Sequence, residues 1–461
     1  MNSRKQVLTL TLIILIIAFS TVSCEMRADL QPVVALTGGT LIDLNDFGKS
    51  DRDKENIVVL IAGNKIAAVG TRNEVTIPEH AKVIDVRGKF IVPGLIDGFS
   101  TLNNQAYANA HLYMGVTTIV GLEGERRGEL FHEADPSPEI LGFGSVDGRI
   151  WSESENTYTR WQTDEEIIQA VDSLAQQDTK VVLLHYSMNP KQLQLAVQRC
   201  KELGMATIGE LGYATYAEAI DAGVQSFVHT SRYSVDIVEA KLREEYRDAP
   251  FGEPRNMMYR YYERFTPESN GELLRHAELL GSSDAALIPT MSIFYPGFDF
   301  AINYWEEPVA DLIDRNDIHL PVDPVTGKWT KLENTATWDT LVWPEALVNK
   351  LLRIEQIYYG KGAIYLTGTG VDAFGAMPGI AMHVELEMLT RIGLTNREAI
   401  AAATSNFSEI FGWNHVGKIE VGREADLLIL NDNPIRDIGN LKKIDFLFLD
   451  GELIERQELL N

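Results

Sequence analysis

Two imidazoles and two carboxylates draw attention by where they fall. His185, Glu210, His229 and Asp372 each stand at or just beyond the end of an apolar, β-rich run. Imidazole nitrogen and carboxylate oxygen are the donors that Zn2+ or non-haem iron takes from a protein. Held together, the four could bind such an ion and activate a water molecule. Each also has an ordinary reading: His185 as a loop histidine, Glu210 as a solvated loop carboxylate, His229 as a packed strand-end residue and Asp372 as part of a pliable glycine-flanked loop. Alternation along a strand counts against Glu210 as a ligand unless the strand has already ended.

Other chemistries have less to stand on. Glu123, Glu125, Glu210 and Asp372 could supply a pair of carboxylates for glycoside hydrolysis, but an acidic chain offers such pairs by chance. No Gly-x-Ser-x-Gly elbow is present, and Cys200 has no evident histidine partner in the helix predicted from Gln192 to Leu203. Gly368-Thr369-Gly370 lacks the Lys-Ser/Thr that a phosphate loop needs.

The elements that must position these residues follow a pattern. Val34–Thr37, Val58–Ile61, Ile66–Val69 and Lys82–Val86 read as short strands, with Gly63-Asn64 as a hairpin turn. Ala425–Leu430 and Phe446–Leu449 repeat the pattern at the far end, which suggests one small domain built from both termini. Between them, eight buried strands alternate with helical stretches: Ile91–Ile96, Thr117–Val120, Ile140–Phe143, Val181–His185, Ala206–Ile208, Ser226–Val228, Ala286–Pro289 and Ala363–Thr367. Such alternation gives a parallel sheet, with chemistry where strands end and loops begin. A long segment, about 243–343, is rich in aromatics: Met257 to Tyr262, Phe294, Tyr295, Phe298, Tyr304, Trp305, Trp329, Trp338 and Trp343. It reads as a helical cover with its own core, or as a ligand platform over the sheet.

The totals set limits. The chain has 461 residues, enough for one large core and a smaller domain, and its net charge of -25 disfavours nucleic acid and anionic membranes as partners. With only Cys24 and Cys200, neither a disulfide framework nor a cysteine zinc site is expected. Arg4-Lys5, the apolar Val7–Phe19 and Ser20 to Cys24 resemble a bacterial lipoprotein signal, with residues 1–23 removed, Cys24 acylated and 24–32 as a tether. That places the folded part at the cell envelope.

The run Pro93-Gly94-Leu95-Ile96-Asp97-Gly98-Phe99-Ser100-Thr101 resembles the first barrel strand of the amidohydrolase superfamily. Thr37 to Asp43, Gly115-Val116-Thr117-Thr118 and Ala425-Asp426-Leu427 resemble its imidazolonepropionase-like group, in the same order along the chain. The resemblance implies an α/β fold: a (β/α)8 TIM barrel over 91–413 and a composite β-sandwich from 33–90 and 414–458. It also implies metal ligands at five places. They are His-x-His on strand one, a carboxylated Lys or a Glu on strand four, a His on strands five and six, and an Asp on strand eight. Here Phe99 and Thr101 occupy the His-x-His positions, Leu183 the strand-four position, Gly209 the strand-five position and Gly370 the Asp position. Only His229 matches. Phenyl cannot coordinate, and a neutral hydroxyl is weak beside imidazole. Gly209 and Leu211 take the barrel-facing places in this alignment, which turns Glu210 away. His383, on the helix after strand eight, matches a structural histidine.

The expectation is an amidohydrolase-family envelope lipoprotein without a cofactor. It would be catalytically impaired and act by binding a small organic or peptide-like ligand, or a partner such as a second copy or an active homologue. The alternative is a hydrolase of carbon–nitrogen bonds with Zn2+ in a rebuilt site of His185, Glu210, His229 and Asp372. A structural envelope protein without a pocket is the third reading.

Overall fold

The chain changes sheets at Gly94. Sequence pattern predicts one strand over Ile91–Ile96; the computed structural model has two, Phe90–Pro93 and Leu95–Ser100. Phe90–Pro93 pairs with Leu427–Leu430 and with the end of Val33–Leu41. Leu95–Ser100 pairs with Val116–Gly121 in the barrel. A side chain at Gly94 would put its Cβ 2.0 Å from Thr117 Oγ1, so this crossing point admits only glycine. The structure describes residues 33–122, 130–152, 154, 157–231, 235–248, 261, 265–314 and 345–461. The leader, Cys24, Glu123, Glu125, Trp329, Trp338, Trp343 and the aromatics Tyr259 and Tyr262 lie outside these residues.

Both ends of the chain build the smaller domain, as one mixed eight-stranded sheet. Its order is Glu452–Ile454, Ile444–Leu449, Leu427–Leu430, Phe90–Pro93, Val33–Leu41, Lys54–Ala62 and Lys65–Thr71, with Lys82–Asp85 also beside Val33–Leu41. Leu36, Val59, Ile91, Leu427 and Phe448 form its core.

The barrel strands are Leu95–Ser100, Val116–Gly121, Glu139–Val146, Val181–Leu184, Ala206–Gly209, Ser226–Val228, Ala286–Ile288 and Ile364–Tyr365, all parallel and in sequence order. Strand one meets the eighth through backbone bonds, Gly98 N to Thr367 O at 3.1 Å and Gly370 N to Phe99 O at 2.7 Å. Helices between strands start where the sequence supplies caps. Thr163 with Glu166, Asn189 with Gln192 and Thr215 with Glu218 form reciprocal capping boxes for Asp164–Gln176, Pro190–Glu202 and Tyr216–Ala222. Strand alternation separates two cores. Ile96, Leu141, Val181, Leu183, Ala206, Ile208 and Val228 fill the barrel, whereas Val182, Leu184 and Phe227 face the helices.

Part of the aromatic segment is core. Phe294, Tyr295 and Phe298 are buried, and Phe298 stacks on Phe300 at 4.8 Å. These residues do not form an open platform. Cys200 is also buried, on the expected helix, and burial pushes its thiol up to about 12.

Candidate functional site at the barrel mouth

A rim of polar residues follows directly from where the strands stop. Thr101, Asp147, His185, Glu210 and His229 are each the first residue past strands one, three, four, five and six. Three backbone bonds align neighbouring ends: His185 N to Val146 O at 3.1 Å, Glu210 N to Leu184 O at 3.0 Å and His229 N to Ile288 O at 2.9 Å.

Alternation then decides which rim side chains face inward. Leu141 and Phe143 on strand three pack with the barrel core, as do Val181 and Leu183 on strand four and Ala206 and Ile208 on strand five. Continuing the alternation, four residues past Phe143 and two past Leu183 and Ile208, places Asp147, His185 and Glu210 on that same inner side. The sequence alignment had put Gly209 and Leu211 there. The structure reverses this: Leu211 packs with the outer core, and a Cβ on Gly209 would meet Phe227, which also faces the helices. Strand six departs from simple alternation. Its Val228 points inward, and His229 has a φ of 58°, which turns its ring back over the mouth against Phe99, 5.1 Å away.

The four residues singled out from the sequence divide into separate groups. His229 Nδ1 lies 2.7 Å from Thr290 Oγ1. Asp372 Oδ2 accepts from Asn103 Nδ2 at 3.1 Å and from Tyr107 OH at 3.4 Å. Thr101 Oγ1 bonds Asn103 Oδ1 at 2.8 Å, so the Asp372 cluster joins the ends of strands one and eight. His185 belongs to a third group, which the sequence reading missed. Its Nδ1 is 2.5 Å from Asp147 Oδ1 and 2.9 Å from Ser187 Oγ, and its ring sits 3.9 Å from that of Tyr186. Glu210 is 9% exposed, and no described residue hydrogen-bonds its carboxylate. The signal for Asp147 was available: it follows the β-rich Ile140–Phe143 run by four residues, but the predicted strand ended too early to place it at the rim.

A second buried network braces the mouth from below. Asp97 accepts from Thr369 N at 2.9 Å and Thr369 Oγ1 at 2.6 Å. Ser292 links Thr369 O to Glu385. Burial raises Asp97 to about 6 and Glu385 to about 8, against the hydrogen bonds each accepts. His383 Nε2 lies 2.8 Å from Met114 O, and burial lowers it to about 4, so it is a structural residue held neutral.

These distances bear on a divalent ion. Among the described residues no three His, Cys, Asp or Glu side chains come together as a metal-binding group. Phe99 fills the space beside His229, Leu183 is buried in the barrel, and Gly370 bonds Phe99 through its backbone. The described set does not fit a metal, and no step is derived through one.

A parallel (β/α)8 barrel, a sheet from both termini and a polar C-terminal rim define a barrel of the amidohydrolase type. The amidohydrolase family profile matches residues 359–454. A 5-methylthioadenosine/S-adenosylhomocysteine deaminase of Carboxydothermus hydrogenoformans is 23% identical over 455 residues, covering 92% of this chain and 94% of that protein. A Xaa-Pro dipeptidase crystallised with methionine in its active site superposes with a TM-score of 0.59 at 18% identity, over 92% of this chain and 100% of the other. A bottromycin amidohydrolase gives 0.62 at 17% identity, over 95% and 92%. The chain matches the amidohydrolase family over its C-terminal part and resembles amidohydrolases in fold along most of its length.

Proposed function

We propose that this protein is a catalytically impaired amidohydrolase that acts by binding a small organic or peptide-like ligand at the barrel mouth. One observation carries the reading. The mouth keeps its polar rim, yet the groups that could hold an ion are spread over three clusters and engaged separately, with Phe99 packed against the histidine that matches the family. Metal-activated water needs several donors on one ion; this rim offers hydrogen-bonding groups instead. Lipidation at Cys24 would hold the barrel at a bacterial envelope, and a second copy or an active homologue is the partner such a barrel would take.

The activities for which the deaminase and dipeptidase relatives are named favour the competing reading, an active hydrolase of carbon–nitrogen bonds with Zn2+ at a rebuilt site. Metal content decides between them. Protein beginning after Cys24 is produced with zinc, manganese and iron supplied, and its metal is quantified by mass spectrometry. The expected result is well below one ion per chain and no change for His229→Ala. Stoichiometric metal that His229→Ala removes would overturn the proposal. For the anchor, Cys24→Ser is expected to abolish incorporation of labelled fatty acid and to move the protein from the membrane to the soluble fraction.

A further inference from the structure

Asp147, His185 and Glu210 are neighbours around the rim, on the same side of three adjacent strands. Asp147 Oδ1 at 2.5 Å and Ser187 Oγ at 2.9 Å both engage the His185 ring at Nδ1. Nε2 is the acceptor in the tautomer that carries its proton on Nδ1. No described residue hydrogen-bonds it, and the side chain keeps 15% of its surface open.

Glu210 supplies an independent observation. It is nine-tenths buried at the mouth, and neither a hydrogen bond nor an ion pair from any described residue meets its carboxylate. Asp147 has no ion pair with a described lysine or arginine either. The nearby Arg149 is turned elsewhere, over the rings of Trp161 at 4.0 Å and Tyr213 at 5.7 Å. Two carboxylates with no described lysine or arginine between them make a negative corner, on a chain whose net charge is -25. Its walls are aromatic. Tyr186 lies on His185, Tyr158 is 6.2 Å from the same ring, and the partly exposed Trp151 stands edge-on to Tyr158 at 5.1 Å. The phenol of Tyr158 feels both acids: burial raises it first, and the charges of Asp147 and Glu210 add to the rise.

We propose that this corner of the mouth binds an organic ammonium group. Its N–H bonds would go to Glu210 and to His185 Nε2, and its apolar part would lie against Tyr158 and Tyr186. Aromatic faces and carboxylates both attract a cation, and a half-buried site strengthens both attractions. An anion is rejected by the same field. The assignment rests on the reading of the mouth as a binding site, and it names the class of ligand.

The test is calorimetric titration of the whole chain after Cys24 with benzylammonium, benzyltrimethylammonium, benzyl alcohol and benzoate. Benzylammonium is expected to bind about tenfold or more tightly than benzyl alcohol, the usual advantage of a charge-assisted hydrogen bond. Benzyltrimethylammonium, which has no N–H, should fall between them, and benzoate should not bind. Glu210→Gln is expected to weaken benzylammonium about tenfold. Glu165→Gln, which removes a charge from an exposed helix position, should leave it unchanged, with both variants melting as the parent does. Equal binding of the alcohol, or a Glu210→Gln variant that binds benzylammonium as the parent does, overturns the proposal. A neutral compound that binds where no ammonium does would also overturn it, while leaving the reading as a binding protein intact. Ammonium binding by protein that carries stoichiometric metal would do the reverse.

Discussion

Gly98 shows how closely the rim is braced. A Cβ there would lie 2.6 Å from Thr367 O and 2.7 Å from the Phe407 ring, at the seam between strands one and eight. Gly98→Ala is therefore expected to cost about 1–3 kcal/mol or more, the usual range for forcing extra volume into a packed core. Urea unfolding measures it, and an unchanged midpoint would mean the seam is looser than described. Single residues were also where the sequence misled. His229 was legible as the one matched ligand position, and its ring packs edge-on against Phe99. Glu210 was not. Its direction depends on the register of a four-residue strand, Ala206–Gly209, and a slip of one residue reverses every side chain.

Among the elements, short strands and caps were plain in the sequence and the crossing between sheets was not. Val58–Ile61, the Gly63-Asn64 turn and Ile66–Val69 form the expected hairpin, because β-branched residues flank a residue that tolerates positive φ. Pro93-Gly94 stood in plain view, yet only the close approach of Thr117 shows why the strand breaks there. Arg423 holds the terminal sheet to the last barrel helices. Its Nη1 donates to Ser408 Oγ, Trp413 O and Val416 O, each at 3.0 Å, and its side chain is 11% exposed. Arg423→Met leaves those acceptors without their donor and is expected to cost about 3 kcal/mol. Arg423→Lys should recover only part of this, since an ammonium cannot reproduce the planar fork. Thermal unfolding of the two variants against the parent checks the order.

The molecule as a whole carries an unusual load of buried acid. Burial raises Asp97 to about 6, Glu355 and Asp426 to about 7 and Glu385 to about 8. Unfolded, these groups titrate near 3.8 for Asp and 4.5 for Glu, so the folded state holds more protons across the interval between. Their contribution to stability is present at the acid side and is lost as pH rises through about 6 to 8. Histidines shielded from solvent, His111, His276 and His383, act in the other direction. His111 and His383 are lowered to about 4, so their contribution is lost as pH falls from 6.5 toward that value. The melting temperature should therefore rise as pH is lowered from 8.5 to about 6.5 and then rise more gently, as the histidines offset part of the gain. Glu385→Gln should flatten the upper limb, and a limb that persists in this variant would assign it to other groups.

The sheet that joins both termini has a consequence for biogenesis. Phe90–Pro93 and Val33–Leu41 are made early, but their partner Leu427–Leu430 emerges only after the entire barrel. Until then an apolar edge has no neighbour, and the nascent chain stays exposed to chaperones and proteases. A product that stops before Leu427 lacks the strand that covers Phe90–Pro93. Leu427–Leu430 thus serves as an inspection step, and a stop before it is read as misfolding even when every barrel strand is intact.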